Sequence, residues 1–200
     1  MTSRRCIIAL AAVAVLAPTA AALAQGADPA IATIDGLDAA LLETMKSKAG
    51  AEARYTKLLP AVERTFDMPT MTRLAVGDAW TSYSAGDQAA LVKAFTRLSA
   101  ANLAHNFAAY DGEQFKVNPQ VQTRLPDKLV RAQIIPREGD PTDLNYRMRE
   151  AGGAWKVVDV YFGSISQLAA QRSDFAATAV AGGAGALTKK INAKADELLK

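Results

Sequence analysis

Proton transfer or metal ligation in this chain would have to begin at His105, its one histidine. His105 lies in the stretch AANLAHNFAAY, with no carboxylate or cysteine at ligand spacing, so a metal centre would need donors from distant segments. There is no G-x-S-x-G elbow to present a nucleophile and no H-E-x-x-H pair to bind zinc. Gly182, Gly183 and Gly185 imitate a phosphate-cradling loop, but they follow a helical pattern rather than a strand and read as a helix break. Catalysis needs a nucleophile with its base, a metal cage or paired acids, and none of these is provided. No enzymatic activity, metal or cofactor is therefore expected. Arg124, Lys128, Arg131, Arg147 and Arg149 form either a basic stripe on one sheet face or an ordinary solvated strand face.

The chain is instead rich in apolar residues at regular spacing. In the strand-like run WKVVDVYF, Val158, Val160 and Phe162 fall on one face and Trp155, Val157 and Tyr161 on the other, because side chains alternate across a strand. Antiparallel sheets usually leave one face wet. A strand apolar on both faces either lies inside a core or lines a cavity, and parity alone does not say which face would do so. Three further strands are expected at 113–117, 128–135 and 143–149, punctuated by Gly139, Pro141 and the Gly152-Gly153 pair. Leu144, Tyr146 and Met148 alternate with Asn145, Arg147 and Arg149, and Val130, Ala132 and Ile134 alternate with Arg131 and Gln133. Four antiparallel strands with an apolar inner face need a cover.

Helices before and after the strands supply it. Ile34, Leu37, Leu41 and Met45 recur at helical spacing, as do Tyr55, Leu58, Leu59, Val62 and Phe66. A third helical segment carries Met71, Leu74 and Ala75. Ser84 then reads as an N-cap with Asp87 three residues on, opening a long helix through Leu91, Phe95, Leu98, Leu103, Phe107 and Tyr110. After Phe162 the chain returns to helix over 168–180, breaks at Gly182-Gly183, and resumes with Leu187, Ile191 and Leu198.

The first 24 residues read as a secretory leader. Arg4 and Arg5 precede an apolar run of 11 residues from Cys6 to Leu16, and Ala22-Leu23-Ala24 fits the small-residue cleavage rule. A membrane-spanning helix needs roughly 20 apolar residues, so the run is too short for an anchor. Cutting after Ala24 leaves 176 of the 200 residues and removes Arg4 and Arg5, lowering the formal charge from +3 to +1. So small an excess gives little pull on phosphates, and nucleic acid is not an expected partner. Cys6, the one cysteine, leaves with the leader, so the mature chain uses no thiol chemistry although it is directed to the periplasm.

The segregated order of elements predicts an α+β fold, cone-shaped or NTF2-like. A helical part (30–110) packs on a four-stranded antiparallel sheet (111–163), C-terminal helices follow (164–200), and an apolar cavity lies between sheet and helices. Residues 25–200 are expected to form one domain.

Three passages carry a resemblance to a known family: FDMPTMTRLAVGDAW (66–80), AAYDGEQFKV (108–117) and WKVVDVYFGSISQLAAQRSDF (155–175), with GGAGALTKKI (182–191) fitting as well. They resemble the toluene-tolerance, or MlaC, family of periplasmic lipid carriers. The wording HNFAAYDGEQF and QRSDF is closest to its hopanoid-biosynthesis-associated HpnM branch. Where MlaC-type chains usually carry Tyr before the arginine, this one has Gln171 before Arg172.

The resemblance implies a lipid-binding and transport protein for a hopanoid or phospholipid, working with an inner-membrane ABC transporter complex and expected to be monomeric. The lipid tails would lie between sheet and helices. Candidate cavity residues are Leu103, Phe107 and Tyr110 from the long helix, with Val130, Ile134, Leu144, Tyr146, Met148, Val158, Val160 and Phe162 from the strands. For each the alternative is ordinary core packing. Arg172 is a candidate for an acidic headgroup, or for an ion pair with Asp174 or Asp159. The other functional reading is a non-enzymatic adaptor subunit of a membrane transporter, with a filled core and no cargo.

Overall fold

The computed structural model describes residues 28–200. The leader, its cleavage after Ala24 and Cys6 lie outside the described residues. Three helices open the fold: α1 (Pro29–Lys46), α2 (Ala51–Thr65) and α3 (Met68–Val76). Asp28 and Asp67 cap α1 and α3 by accepting the backbone N–H of Ala30 and Thr70, and Pro29 and Pro69 pre-set the first turns. A 3-10 turn (Gly77–Ser82) leads to the longest single run of the helical half, α4 (Ala85–Asn106). Ser84 caps α4 as its sequence predicts: its Oγ accepts from Asp87 N at 3.1 Å and donates to Asp87 Oδ2 at 2.7 Å.

The long helix ends earlier than its apolar period suggests. Phe107 leaves the helix with φ −107° and ψ 52° and stacks on Phe115, ring centroids 5.8 Å apart. Tertiary packing of that pair overrides the local pattern, so Tyr110 lies outside α4 altogether.

Seven strand segments follow: β1 (Gln114–Val117), β2 (Gln122–Arg124), β3 (Asp127–Val130), β4 (Ala132–Ile135), β5 (Thr142–Ala151), β6 (Ala154–Phe162) and β7 (Ile165–Ser166). The expected strand over 128–135 is divided at Arg131, but β3 and β4 keep one register against β5, with Val130 opposite Tyr146 and Ile134 opposite Thr142. The segments β2 and β7 are additions to the four strands expected from sequence. All ladders between strands are antiparallel. The side of β6 away from β5 is met by three other segments. Thr33 Oγ1 donates to Trp155 O, Asp67 N donates to Val157 O at 2.9 Å, and β7 pairs with Tyr161 and Phe162.

One irregularity decides which residues face inward. Arg147 lies opposite Asp159, yet the next residue, Met148, lies opposite Val157, so Val158 is an extra residue in β6. Such a bulge sets two residues against one and reverses parity beyond it. Partners in an antiparallel pair share a face, so Trp155 and Val157 join Val160 and Phe162 on the inner side with Met148, Tyr146 and Leu144. This corrects the strict alternation read from the sequence, which put Trp155 and Val157 on the opposite face. Of that opposite face only Tyr161 keeps its assignment, beside Asp159, Asn145 and Arg147 on the outer side.

That outer side is not a free basic stripe. Asp127 sits between two arginines: Arg149 Nε and Nη2 donate to its carboxylate at 2.6 and 2.9 Å, and Arg147 Nε lies 3.7 Å from it as an ion pair without a hydrogen bond. Lys128 points to the inner side, where it donates to Asp28 at 2.7 Å and lies 4.1 Å from the Trp155 ring centroid.

The final helix, α5 (Gln167–Leu198), carries one non-helical residue, Gly183, with φ 69° and ψ −175°. Its N-terminus is held by Ser166 Oγ, which accepts from Ala169 N, and by Asp159, which accepts from Leu168 N and Ser166 Oγ. The core joins all layers. Phe95 of α4 meets Phe175 of α5 edge-on at 6.0 Å, in one buried cluster with Tyr146 and Met148 of the sheet.

Candidate functional site

A cavity of about 570 Å³ lies between α4, the first turns of α5 and the inner face of the sheet. Its size falls in the range of roughly 300–1,000 Å³ usual for small-molecule sites. Buried Met45, Phe66, Met71, Phe95 and Leu144 form its depth. On α4, Phe95, Ser99, Asn102, Leu103 and Asn106 fall on one helical face. Gln167 and Gln171, one turn apart, and Leu168 do the same from α5. Val160 and Phe162 line the sheet wall with Leu144, which lies opposite Phe162 in the ladder. Phe162 is 51% exposed, so the rim is apolar on the side of the sheet.

Six of the sequence-derived candidates therefore meet around one space: Leu103, Phe107, Ile134, Leu144, Val160 and Phe162. The other five lie elsewhere. Val130, Tyr146, Met148 and Val158 are buried in the packed core and do not reach the cavity. Tyr110 is exposed, under Lys46 Nζ at 4.9 Å from its ring centroid. Position along each element makes the division, because the inner face carries apolar residues well beyond the cavity and only its Phe162 end lines it. Sequence reasoning missed the depth residues Met45, Phe66 and Met71 and the polar lining from α4 and α5. Their signal was the helical stripe itself, which reads as core until the sheet stands off from it.

Arg172 forms neither of the ion pairs considered for it. It is exposed, with its guanidinium packed against the backbone at Gly77, where a Cβ would come within 3.2 Å of it. Asp174 is taken by Lys190 and Lys194, and Asp159 by the start of α5. The neighbouring Gln171, not Arg172, lines the cavity, and its Oε1 is buried with no hydrogen-bond partner.

The lining carries no cation. Its one charged residue is Glu113 near the turn before β1, whose Oε2 accepts from Asp111 N at 2.7 Å. His105 is exposed and does not line the cavity. Among the described residues no group of three or more His, Cys, Asp or Glu is arranged to hold a metal, and no helix is long and apolar enough to cross a membrane. The site offers apolar surface and neutral hydrogen-bonding groups.

A buried carboxyl lies away from the cavity. Asp38 of α1 has both side-chain oxygens buried without a partner, and burial, with the nearby charge of Asp35 adding to it, pushes its pKa up to about 7.

Comparison with known proteins agrees with this architecture. A family model described as MlaC protein matches residues 36–193. Among solved structures, a phospholipid-binding protein from Ralstonia solanacearum, in complex with a phospholipid, superposes with a TM-score of 0.72. The match covers 86% of this chain and 97% of that one at 18% sequence identity. At that identity the likeness is one of fold. No curated protein sequence gives a significant match.

Proposed function

Because the chain belongs to the MlaC protein family, whose model spans residues 36–193, we propose that it is a periplasmic lipid-binding carrier. It takes up a membrane lipid, shields its tails in the cavity between α4, α5 and the sheet, and exchanges it with an inner-membrane ABC transporter complex. The cargo is a hopanoid or a phospholipid, in keeping with the sequence likeness to the HpnM branch. The carrier acts as a monomer formed by residues 25–200, released from its leader after Ala24, and performs no chemical step.

The observation that carries this reading is the cavity, open at an apolar rim and lined in depth by Met45, Phe66, Met71, Phe95 and Leu144. Each methylene left in water costs about 0.8 kcal/mol, so a tail of a dozen carbons faces a barrier on the order of 10 kcal/mol. An apolar sleeve replaces water along that path, and empty volume rather than tight packing favours release as well as capture. The Ralstonia protein of similar fold, described with a bound phospholipid, supports the same use of the architecture.

Native mass spectrometry and lipid extraction of the protein purified gently from its own envelope test the proposal. Lipid is expected in stoichiometric or near-stoichiometric amount. Protein that emerges empty, under conditions in which a known carrier keeps its cargo, sinks it.

A further inference from the structure

The polar lining allows the cargo to be narrowed. Ser99, Asn102 and Asn106 form one row along α4, and Gln167 and Gln171 form another on α5, so neutral side chains border the cavity from two helices. No Lys, Arg or His lines it, and the single charge, Glu113, is an anion. A phosphodiester brought to this level would gain no cation and would meet Glu113 as a like charge. It also has no proton to give, whereas Gln171 Oε1 is a buried acceptor with no donor. A hydroxyl both donates and accepts, and so matches amide rows from either side.

Resting on the reading of the cavity as a lipid site, we infer that this carrier selects lipids with an uncharged, hydroxyl-bearing head over anionic phospholipids, and that Gln171 is a specificity-determining residue for that choice. The amides read the head while the sleeve below takes any tail. Arg172, although adjacent in sequence, plays no part in the reading because it lies against Gly77 outside the cavity.

The test uses the delipidated mature protein and four lipids with identical acyl chains: a diacyl glucoside, phosphatidylglycerol, phosphatidylethanolamine and 1,2-diacyl-3-acetylglycerol, whose head carries no hydroxyl. Bound lipid is counted by native mass spectrometry after incubation with mixed micelles. The glucoside is expected to be retained about tenfold over phosphatidylglycerol, the worth of one or two buried hydrogen bonds. Gln171→Leu should bring the glucoside down to the level of the acetylated lipid while the acetylated lipid itself is held as before. Gln171→Arg, which adds the missing cation, should turn the preference toward phosphatidylglycerol, and serves if the leucine variant misfolds. Equal or better retention of either phospholipid, or of the acetylated lipid, by the unaltered protein overturns the inference and leaves the carrier reading standing. Retention of no lipid at all overturns both.

Discussion

The carboxylate of Asp174 is held by the ammonium of Lys194 at 2.5 Å, although the two residues stand twenty positions apart in α5. In a straight helix that separation is about 30 Å, so the two halves of α5 must fold back on each other. Lys190 joins the same carboxylate at 3.0 Å and lies 6.0 Å from the Phe175 ring centroid. Hydrogen bonding from Lys194 holds the Asp174 carboxyl below its usual range. The fold-back brings Leu187 and Ile191 into the core beside Phe175 and Ala179.

The turn rests on two glycines for different reasons. Gly183 adopts φ 69° and ψ −175°, a conformation essentially reserved for glycine, and a Cβ on Gly182 would come within 2.8 Å of the Ala186 Cβ. Gly183→Ala should cost about 1–3 kcal/mol. Gly185→Ala, with nothing within 4 Å of its added Cβ, should be neutral or stabilise slightly through better helix propensity. Urea melts of the two variants check this, and equal midpoints would refute the hairpin account.

Asp38 gives stability a pH dependence of opposite sign to that of a paired carboxylate. Its folded pKa of about 7 is above the unfolded value of 3.8, so its contribution is fully present below pH 3.8 and is lost as pH rises through 7. Asp38→Asn removes the ionisation. The variant should be more stable than the natural protein at pH 8, by on the order of 2 kcal/mol, with the difference shrinking toward pH 4. Denaturant midpoints at pH 4.5, 6 and 8 measure it, and parallel curves for the two proteins would remove Asp38 as the cause.

Two inward residues of neighbouring strands should respond differently to enlargement. Val160 borders the cavity, whereas Met148 is fully buried and does not line it. Val160→Trp is expected to fill the cavity, expel bound lipid and leave the melting temperature nearly unchanged. Met148→Trp should lose about 1–3 kcal/mol through overpacking. Lipid content and thermal melts of both variants decide the matter. A Val160→Trp protein destabilised as much as the Met148 variant would mean a filled core.

Helical stripes were the most legible part of the sequence, because a period of 3.6 survives wherever one face is buried. The Ser84 cap, the break at Gly183 and the four main strand runs were readable on the same grounds. Face assignment in β6 was not, since Val158 looks like any other valine until its partner strand shows that it has no counterpart. Tyr110 continued a helical period that the Phe107–Phe115 stack cuts short. The distinction between Val160 at the cavity and Tyr146 in the core depends on how far the sheet stands from α4, which no local pattern encodes. Arg172 drew notice by its charge, while the residue turned into the cavity was the neutral Gln171 beside it.

The three segments that meet β6 on its side away from β5 also set a limit on association. Backbone groups there are engaged by Thr33, Asp67 and β7, which leaves β1 and β2 as the exposed flank of the sheet. Fibrous growth by strand addition needs two unprotected edges, one to receive and one to offer. With one edge engaged, pairing through the other would end at a dimer.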